Sequence, residues 1–196
     1  MVIQRFVSVT RGIVSLTKAL FEKPTGERGT AMAELVYQAA RREAKRLLDT
    51  VWSGNYPVRM KPFNSEVGAQ AYEADLGDDL SGVVSKEAGK PAKIVLNSRH
   101  VKRRNRFTWA HEIGHIVERR ELADDDDYSF EELKRSTDYD LHEFFADEFA
   151  GALLMPEAKI LELKESGYTL AEMAEFFDVS VDAVSKRLQR LRKHPR

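Results

Sequence analysis

The chain has 196 residues, of which 42% are hydrophobic and 32% charged, and its 31 basic and 32 acidic residues give a formal net charge of −1. This balance is typical of a globular protein with one sizeable core, and it excludes a global charge signal for nucleic-acid binding. The absence of cysteine excludes disulfides and thiolate ligands, so histidine and carboxylate groups are the strong metal ligands that remain. We expect a cytoplasmic protein, because a chain without cysteine is compatible with a reducing compartment.

The N-terminal part of the chain is predicted to be helical. Residues 1–22 are moderately apolar, but basic residues interrupt them, so neither a signal peptide nor a membrane span is predicted. We interpret this stretch as an amphipathic segment that packs on the core or faces a partner. After a loop at residues 23–29, apolar side chains recur with helical spacing, which predicts an amphipathic helix over residues 30–52 with a solvated charged face.

The next part of the chain carries the predicted strands. Residues 58–61 alternate like a short strand, whereas residues 65–76 are compatible with a further helix that Gly77 closes. Residues 80–85 and 92–97 are strand candidates on either side of a turn-prone segment. The sequence therefore predicts a small sheet before the helix that carries the main motif.

That motif is His111-Glu-Ile-Gly-His115, which lies in an apolar segment predicted to be a largely buried helix. Residues four apart share one face of a helix, so His111 and His115 can bind one metal ion together. Glu112 is offset by one residue and can reach a water in the open position of the metal. The alternative is a solvated helix that happens to carry two histidines, and the apolar neighbours argue against it.

Residues 141–156 predict a second apolar helix, and its carboxylates complete the site. Glu143 and Asp147 are again four residues apart, and carboxylates in so apolar a helix are costly to bury unless they are paired or bind metal. We therefore assign Glu143 as the third metal ligand. Asp147 is predicted to accept the second ring N–H of a ligand histidine, which fixes the tautomer of that ring. His142 and Glu148 are offset from this face and are predicted to point to solvent.

Three separated blocks of this sequence resemble the ImmA/IrrE family of bacterial and phage metallopeptidases. They are Arg106-Phe-Thr-x-Ala-His-Glu-x-Gly-His115, Glu143-x-x-Ala-Asp-x-Phe-Ala150 and Leu153-Leu-Met-Pro156, and the strand Ile94-Val-Leu-Asn97 precedes them. The resemblance runs from about Pro57 to about Leu191 and implies a zincin-like fold, whose sheet edge can receive an extended peptide. Residues 1–30 match nothing in the family, so their role stays open.

The resemblance also implies a site and a substrate. His111, His115 and Glu143 match the family's metal ligands and Glu112 its catalytic glutamate, with zinc as the expected metal and manganese as an alternative. The family often has Asn at the position of Asp147, and a carboxylate there makes a supporting role for this residue more plausible. Known targets of the family are helix-turn-helix repressors, which are cleaved to release genes of mobile elements, prophages or stress responses.

Two further segments have a strong charge pattern. After Pro156, a capping box at Thr169-Leu-Ala-Glu172 and a cap at Ser180 predict two helices that resemble a helix-turn-helix and end in basic residues. DNA binding by this tail is therefore a rival function. Residues 121–140 are strongly acidic and are interpreted as a solvated loop or, alternatively, as a segment that steers a basic partner.

The sequence as a whole predicts an α+β fold with a small β-sheet, two metal-binding helices and a C-terminal helical pair. We divide it into an N-terminal helical segment (1–52), a zincin-like metallopeptidase core (53–160) and a helical pair packed on that core (161–196). The predicted function is zinc-dependent cleavage of a helix-turn-helix repressor, with Glu112 as general base. A donor to the oxyanion is also needed, and the candidates are Arg106, Tyr128, Tyr139 and His142. The alternatives are a metal-bound regulator that binds the repressor without cleaving it, and a DNA-binding protein.

Overall fold

The computed structural model describes residues 35–123, 128–133 and 141–195, and it confirms the predicted α+β class. The helices are α1 (Val36–Val51), α2 (Lys61–Glu66), α3 (Lys102–Glu118), α4 (Leu141–Leu154), α5 (Glu157–Glu165), α6 (Leu170–Phe177) and α7 (Val181–Lys193). The strands are β1 (Ala69–Ala74), β2 (Leu80–Lys86), β3 (Ala92–Asn97) and β4 (Tyr128–Leu133). A short π-helix, Arg119–Ala123, continues α3. The predictions for residues 1–34 lie outside the described residues.

The four strands form one mixed sheet in the order β1-β3-β2-β4. β1 runs parallel to β3, whereas β2 is antiparallel to both β3 and β4. The register of β2 against β4 shifts between Leu80 and Gly82, so that Ser81 is an extra residue on β2. Gly82, which follows the bulge, is the residue of β2 that lies close to Thr108 and Glu112 on the helix of the main motif.

The sheet corrects three predictions and confirms two others. Residues 128–133, within the segment interpreted as a solvated loop, form β4 and pair with β2. β2 and β3 lie where strands are predicted, but residues 65–76, predicted to be a helix, contain the end of α2 and then β1. The β1 sequence AQAYEA has a fair helical propensity, but parallel pairing with β3 fixes it as a strand. Residues 58–61 form no strand; Val58 and Met60 are buried in irregular backbone that leads into α2.

α3 lies between the sheet and α4, and α4 in turn packs against α1. Every residue of α3 from Ala110 to Glu118 is buried, which explains why this helix lacks a polar face. The core around it consists of aliphatic and aromatic side chains from all of these elements, including Leu47, Ile94, Ile113, Phe145, Phe149 and Leu153. The H-E-x-x-H motif therefore lies within the buried core. None of the helices in the described part of the chain is long and apolar enough to cross a bilayer.

The C-terminal helices pack back on this core. The predicted capping box is confirmed: the Thr169 hydroxyl accepts from the backbone N–H of Glu172, and the Glu172 carboxylate accepts from the N–H of Thr169. Ser180 caps α7 by accepting from Ala183 N. The turn between α6 and α7 is buried at Val179, so the pair is anchored on the core. The division of the chain at residues 52/53 and 160/161 stays a prediction.

One buried charge cluster corrects the prediction for Glu148. This carboxylate does not point to solvent but is fully buried on α4, where its Oε1 accepts from Arg41 Nε and from Arg187 Nη1, both at 2.6 Å. Burial alone would make the charge very unfavourable, and two guanidinium groups offset that effect. The cluster joins α1, α4 and α7, and it also shows that the charged face of α1 is not merely solvated.

Candidate metal centre

The two helices that carry the candidate ligands approach each other closely because small residues meet between them. A Cβ at Gly114 of α3 would lie 3.0 Å from the Cα of Ala146 and 3.2 Å from the Cδ1 of Phe149, both on α4. Side chains cannot be added to such a contact without moving one helix. Gly114 therefore allows the histidine face of α3 to reach the first turn of α4.

Three ligand atoms converge at this crossing. The Nε2 atoms of His111 and His115 are 3.0 Å apart, and each lies 3.3 Å from a carboxylate oxygen of Glu143. Both histidine side chains are almost completely buried, whereas 24% of the Glu143 side chain is exposed. Within the described ranges, these three residues form the group of histidine and carboxylate side chains whose ligand atoms could hold one metal ion.

The three candidate ligands fit a zinc site. Zinc binds histidine nitrogen and carboxylate oxygen at about 2.0–2.2 Å, and tetrahedral angles at that distance separate neighbouring ligand atoms by about 3.3 Å. The two Nε2 atoms are 3.0 Å apart, and the 3.3 Å contacts of His111 and His115 with Glu143 end on its Oε2 and Oε1, respectively. One ligand atom from each residue lies within 4.8 Å of the other two, so the three side chains can converge on one ion. Two histidines and one carboxylate are also the donor set of a known class of catalytic zinc sites, in which a fourth position stays open.

Asp147 contacts one of these histidines on the side away from the triangle. Its Oδ1 lies 3.2 Å from His111 Nδ1, and its Oδ2 accepts from Arg190 Nη2 at 2.9 Å. A hydrogen at Nδ1 of His111, donated to Asp147, leaves Nε2 with a lone pair for a metal. The guanidinium of Arg190 in turn holds the carboxylate, so a residue of α7 supports a candidate ligand on α3.

Electrostatics at the triangle favour the protonation states that a metal requires. Burial lowers the pKa of His115, so this ring stays neutral. Burial would raise the pKa of Glu143, but hydrogen bonds from His111 and His115 outweigh burial and hold that pKa well below its usual range. A metal ion that binds here would replace the hydrogens shared between these groups and leave neutral imidazoles beside an ionised carboxylate.

The carboxylate of Glu112 lies on the sheet side of α3 and is fully buried. It is close to the backbone of β2: a Cβ at Gly82 would lie 2.7 Å from Glu112 Oε1 and 2.5 Å from Thr108 Cγ2. A glycine inside a strand often marks such a close approach, and this is the sequence signal that could have identified Gly82. Gly82 and Thr108 therefore form the walls against which the predicted general base rests.

Among the predicted oxyanion donors, Arg106 is engaged elsewhere. Its Nε donates to the backbone oxygen of Asp178 at 3.0 Å, and its Nη2 donates to those of Val58 and Phe177. These bonds tie α3 to the turn between α6 and α7 and to the segment before α2. Arg106 thus holds the C-terminal pair on the core, and the geometry gives it no contact with the ligand triangle.

The other three candidates for the oxyanion role differ in position. His142 lies just before Glu143, and its Nδ1 is 2.8 Å from Oε1 of the buried Glu118. Tyr128 begins β4 and is partly buried against the core. Tyr139 lies outside the described residues. Sequence reasoning did not identify Glu118 or Arg190 as part of this neighbourhood, because their partners lie on other helices.

A helix with the H-E-x-x-H motif, a carboxylate from a second helix and a small mixed sheet define the zincin-like class of metal site. A model of a peptidase family described as the IrrE N-terminal-like domain matches residues 64–189 of the chain. This match spans more than half of the chain, so the chain belongs to that family, and the resemblance drawn from the sequence is confirmed.

One curated relative is similar over part of its length. The radiation response metalloprotease IrrE of Deinococcus radiodurans is 36% identical over an aligned length of 102 residues. The match covers 46% of this chain and 28% of the relative, so the chain spans only a minor part of that protein.

Proposed function

We propose that this protein is a zinc-dependent endopeptidase. The observation that carries the proposal is the convergence of His111, His115 and Glu143, whose ligand atoms lie within 4.8 Å of one another and form the donor set of a catalytic zinc site. The buried Glu112 on the same helix supports it, because a hydrolytic site needs a carboxylate base beside the metal. Membership of a peptidase family supports the same conclusion.

We propose a separate role in hydrolysis for each residue of the site. A zinc ion, when bound, polarises a carbonyl and lowers the pKa of a water molecule toward about 7. Glu112 accepts the proton of the attacking water and returns it to the leaving amine. His142, which directly precedes the candidate ligand Glu143, or Tyr128 at the start of β4 is proposed to donate a hydrogen bond to the oxyanion.

We further propose a helix-turn-helix repressor as the substrate, cleaved to release genes of a mobile element, a prophage or a stress response. The resemblance of the three motif blocks to the ImmA/IrrE family supports this class of substrate. The similar Deinococcus protein is named a radiation response metalloprotease, and a role in a stress response is compatible with a regulatory target.

Cleavage tests this proposal directly. The chain is co-expressed with the repressor encoded beside its own gene, and the fragments are identified by mass spectrometry. Glu112→Gln should keep fold and metal but reduce the cleavage rate about 10²–10⁴-fold, the usual worth of a general base. Glu43→Gln is a matched control, because Glu43 is also buried but pairs with Arg46 on α1. Cleavage by Glu112→Gln at the unaltered rate would refute the mechanism.

The same experiment separates the two rival functions. A regulator that acts by binding alone would retain its effect on the repressor in the Glu112→Gln variant, without fragments. A DNA-binding tail is disfavoured because Arg187 and Arg190 of the basic end form internal ion pairs with Glu148 and Asp147. Tight binding of duplex DNA that weakens steeply with salt would still favour the DNA-binding function.

A further inference from the structure

A cavity of about 480 Å³ lies between α3, α4 and the start of α7. Its floor is apolar and is formed by residues such as Phe107, Met155 and Ala183. Its size falls within the range of about 300–1,000 Å³ that is usual for binding pockets. The candidate metal centre does not account for this cavity.

The cavity begins close to the candidate catalytic residues. Thr108 and Asp147 both line it, and Asp147 also contacts the candidate ligand His111 at 3.2 Å. Thr108 lies one helical turn before Glu112, and residues at this spacing are about 5–6 Å apart at Cβ. An extended peptide advances about 3.3 Å per residue, so this distance corresponds to the reach of a side chain about two residues from the scissile bond.

The wall of the cavity is more cationic than anionic. Five basic side chains line it, against the three acidic side chains of Asp147, Glu148 and Asp182, and most of the charges form ion pairs. Arg187 pairs with Glu148, and Arg190 with Asp147. Lys186 pairs with Asp182. The two remaining cations are Arg103 and Arg104, and they differ in their partners.

Arg104 has a different environment from these paired cations. Arg103 pairs with Glu175 and Asp178, outside the cavity wall. The Nη2 of Arg104 instead donates to the neutral hydroxyl of Ser81 at 2.9 Å, and no ion pair is found for Arg104 among the described residues. Ser81 is the buried extra residue of the β2 bulge, and Arg104, which is exposed, joins this bulge to the lining of the cavity.

We propose that this cavity is a specificity pocket that binds an acidic substrate side chain, most favourably glutamate, within two residues of the scissile bond. The proposal rests on the proposed peptidase function and adds a substrate preference to it. The planar fork of Arg104 matches a carboxylate in two hydrogen bonds, and the apolar floor accepts the methylene stem of glutamate. Arg104 is a specificity residue and takes no part in bond cleavage.

Cleavage-site profiling tests the pocket and does not require the natural substrate. The zinc-loaded chain is incubated with peptides from a digested bacterial proteome, and the new termini are identified by mass spectrometry. Acidic residues should be enriched at one fixed position near the cut. For a matched peptide pair, replacing glutamate by glutamine at that position should lower kcat/KM about tenfold, which is typical for a charge-assisted hydrogen bond.

Reversing the charge provides the sharper comparison. Arg104→Glu should move the preference at the same position from glutamate to lysine, whereas Lys102→Glu, an exposed charge change that does not line the cavity, should leave the profile unaltered. Arg104→Gln, checked by circular dichroism, replaces Arg104→Glu if the latter does not fold, and it should abolish the preference without reversing it. Profiles with no acidic enrichment, or an unaltered profile for both Arg104 variants, would overturn the proposal.

Two other outcomes distinguish failure of the pocket proposal from failure of the proposed peptidase function. If the chain cleaves nothing, the proposed function fails, and peptide binding then tests the pocket. The Glu112→Gln protein should still bind the glutamate peptide more tightly than the matched glutamine peptide. Equal binding would overturn the pocket as well. If glutarate alone accelerates cleavage of neutral peptides, the cavity is an effector site, and the substrate-side-chain proposal is wrong.

Discussion

Helix α4 carries two groups of carboxylates on adjacent faces, and their surroundings are opposite. Glu148 is fully buried and is enclosed by the guanidinium groups of Arg41 and Arg187. Glu143 and Asp147 are 24% and 28% exposed, and they face His111 and His115. Both groups lie in an apolar helix, so burial of charge alone does not distinguish a structural cluster from a functional one.

The partners of the carboxylates make the distinction. A guanidinium keeps its charge at all ordinary pH values, so the Glu148 cluster is electrically complete without any ligand. This holds although burial lowers the pKa of Arg187 to about 10. The histidines that face Glu143 are neutral when they can bind metal, and burial lowers the pKa of His115. That cluster has no permanent counter-charge comparable to the two guanidinium groups, so we expect it, and not the Glu148 cluster, to bind a cation.

The largest effect on stability is expected at Glu148, which is buried between Arg41 and Arg187. Glu148→Ala leaves two arginines without their buried counter-charge, so the free energy of unfolding should fall by about 3–5 kcal/mol. Urea denaturation of the metal-free protein measures this loss. Glu143→Ala, on the same helix, should change the unfolding free energy far less, because its neighbours are neutral imidazoles. Equal destabilisation by the two variants would contradict the distinction between the clusters.

The next effect concerns metal content. His115→Ala removes one corner of the ligand triangle, so metal analysis should show a large loss from about one zinc per chain. His194→Ala, a described histidine outside the triangle, should retain the metal. Retention of a full zinc complement by His115→Ala would refute the ligand assignment.

Acidification should have the same effect as removing a ligand. Protons compete with the metal for histidine, so zinc affinity should be constant near neutral pH and fall on acidification once the pH approaches the lowered pKa of His115. Burial lowers the pKa of His115, so this ring resists protonation to a lower pH than an exposed histidine. Titration of a zinc-loaded sample against a fluorescent chelator measures the loss. An affinity that rises on acidification would have the wrong sign for histidine ligands.

These comparisons also show what the sequence could and could not predict. The spacing of His111 and His115 and the carboxylates of Glu143 and Asp147 are local patterns, so a single helical period brings each pair onto one face. β2 and β3 were predictable for the same reason, since alternation is visible within a few residues. The local part of the site therefore could be anticipated from the chain alone.

Contacts between distant parts of the chain could not be predicted in this way. The partners of Glu148 lie 107 and 39 residues away, so its burial was invisible and a solvent-facing position was wrongly predicted. β1 was mistaken for a helix because its parallel partner β3 begins only after the intervening strand β2. The close approach of Gly82 to Glu112 likewise joins a strand to a helix, so no periodic pattern in the sequence reveals it.

That contact gives a further prediction, on catalysis rather than stability. Gly82→Ala adds a methyl group 2.7 Å from Glu112 Oε1 and 2.5 Å from Thr108 Cγ2, which is too close for either contact, so we expect the carboxylate to move. A displacement of about 1 Å in a catalytic group can reduce turnover about 10²-fold. Zinc content should stay at the unaltered level, because none of the three candidate ligands is among the atoms nearest to the added methyl group. Val83→Ala, at the next position of β2, is the control, and equal losses of kcat in both variants would make Gly82 merely structural.

The smallest effect is expected at Asp147, which lies between the two clusters. Its Oδ1 contacts His111 Nδ1, and its Oδ2 accepts a hydrogen bond from Arg190. Asp147 therefore contacts both a candidate metal ligand and a guanidinium group. Asp147→Ala removes the acceptor and should weaken zinc affinity or activity about 10–100-fold, as is typical for a residue that orients a metal ligand. Asp147→Asn keeps an oxygen that can accept from His111 and should lose much less. A graded order, with Asn between Asp and Ala, would show that orientation of the ring matters more than the charge. If Asn and Ala are equally impaired, the negative charge itself is required, and Arg190→Gln should then alter the zinc affinity as well.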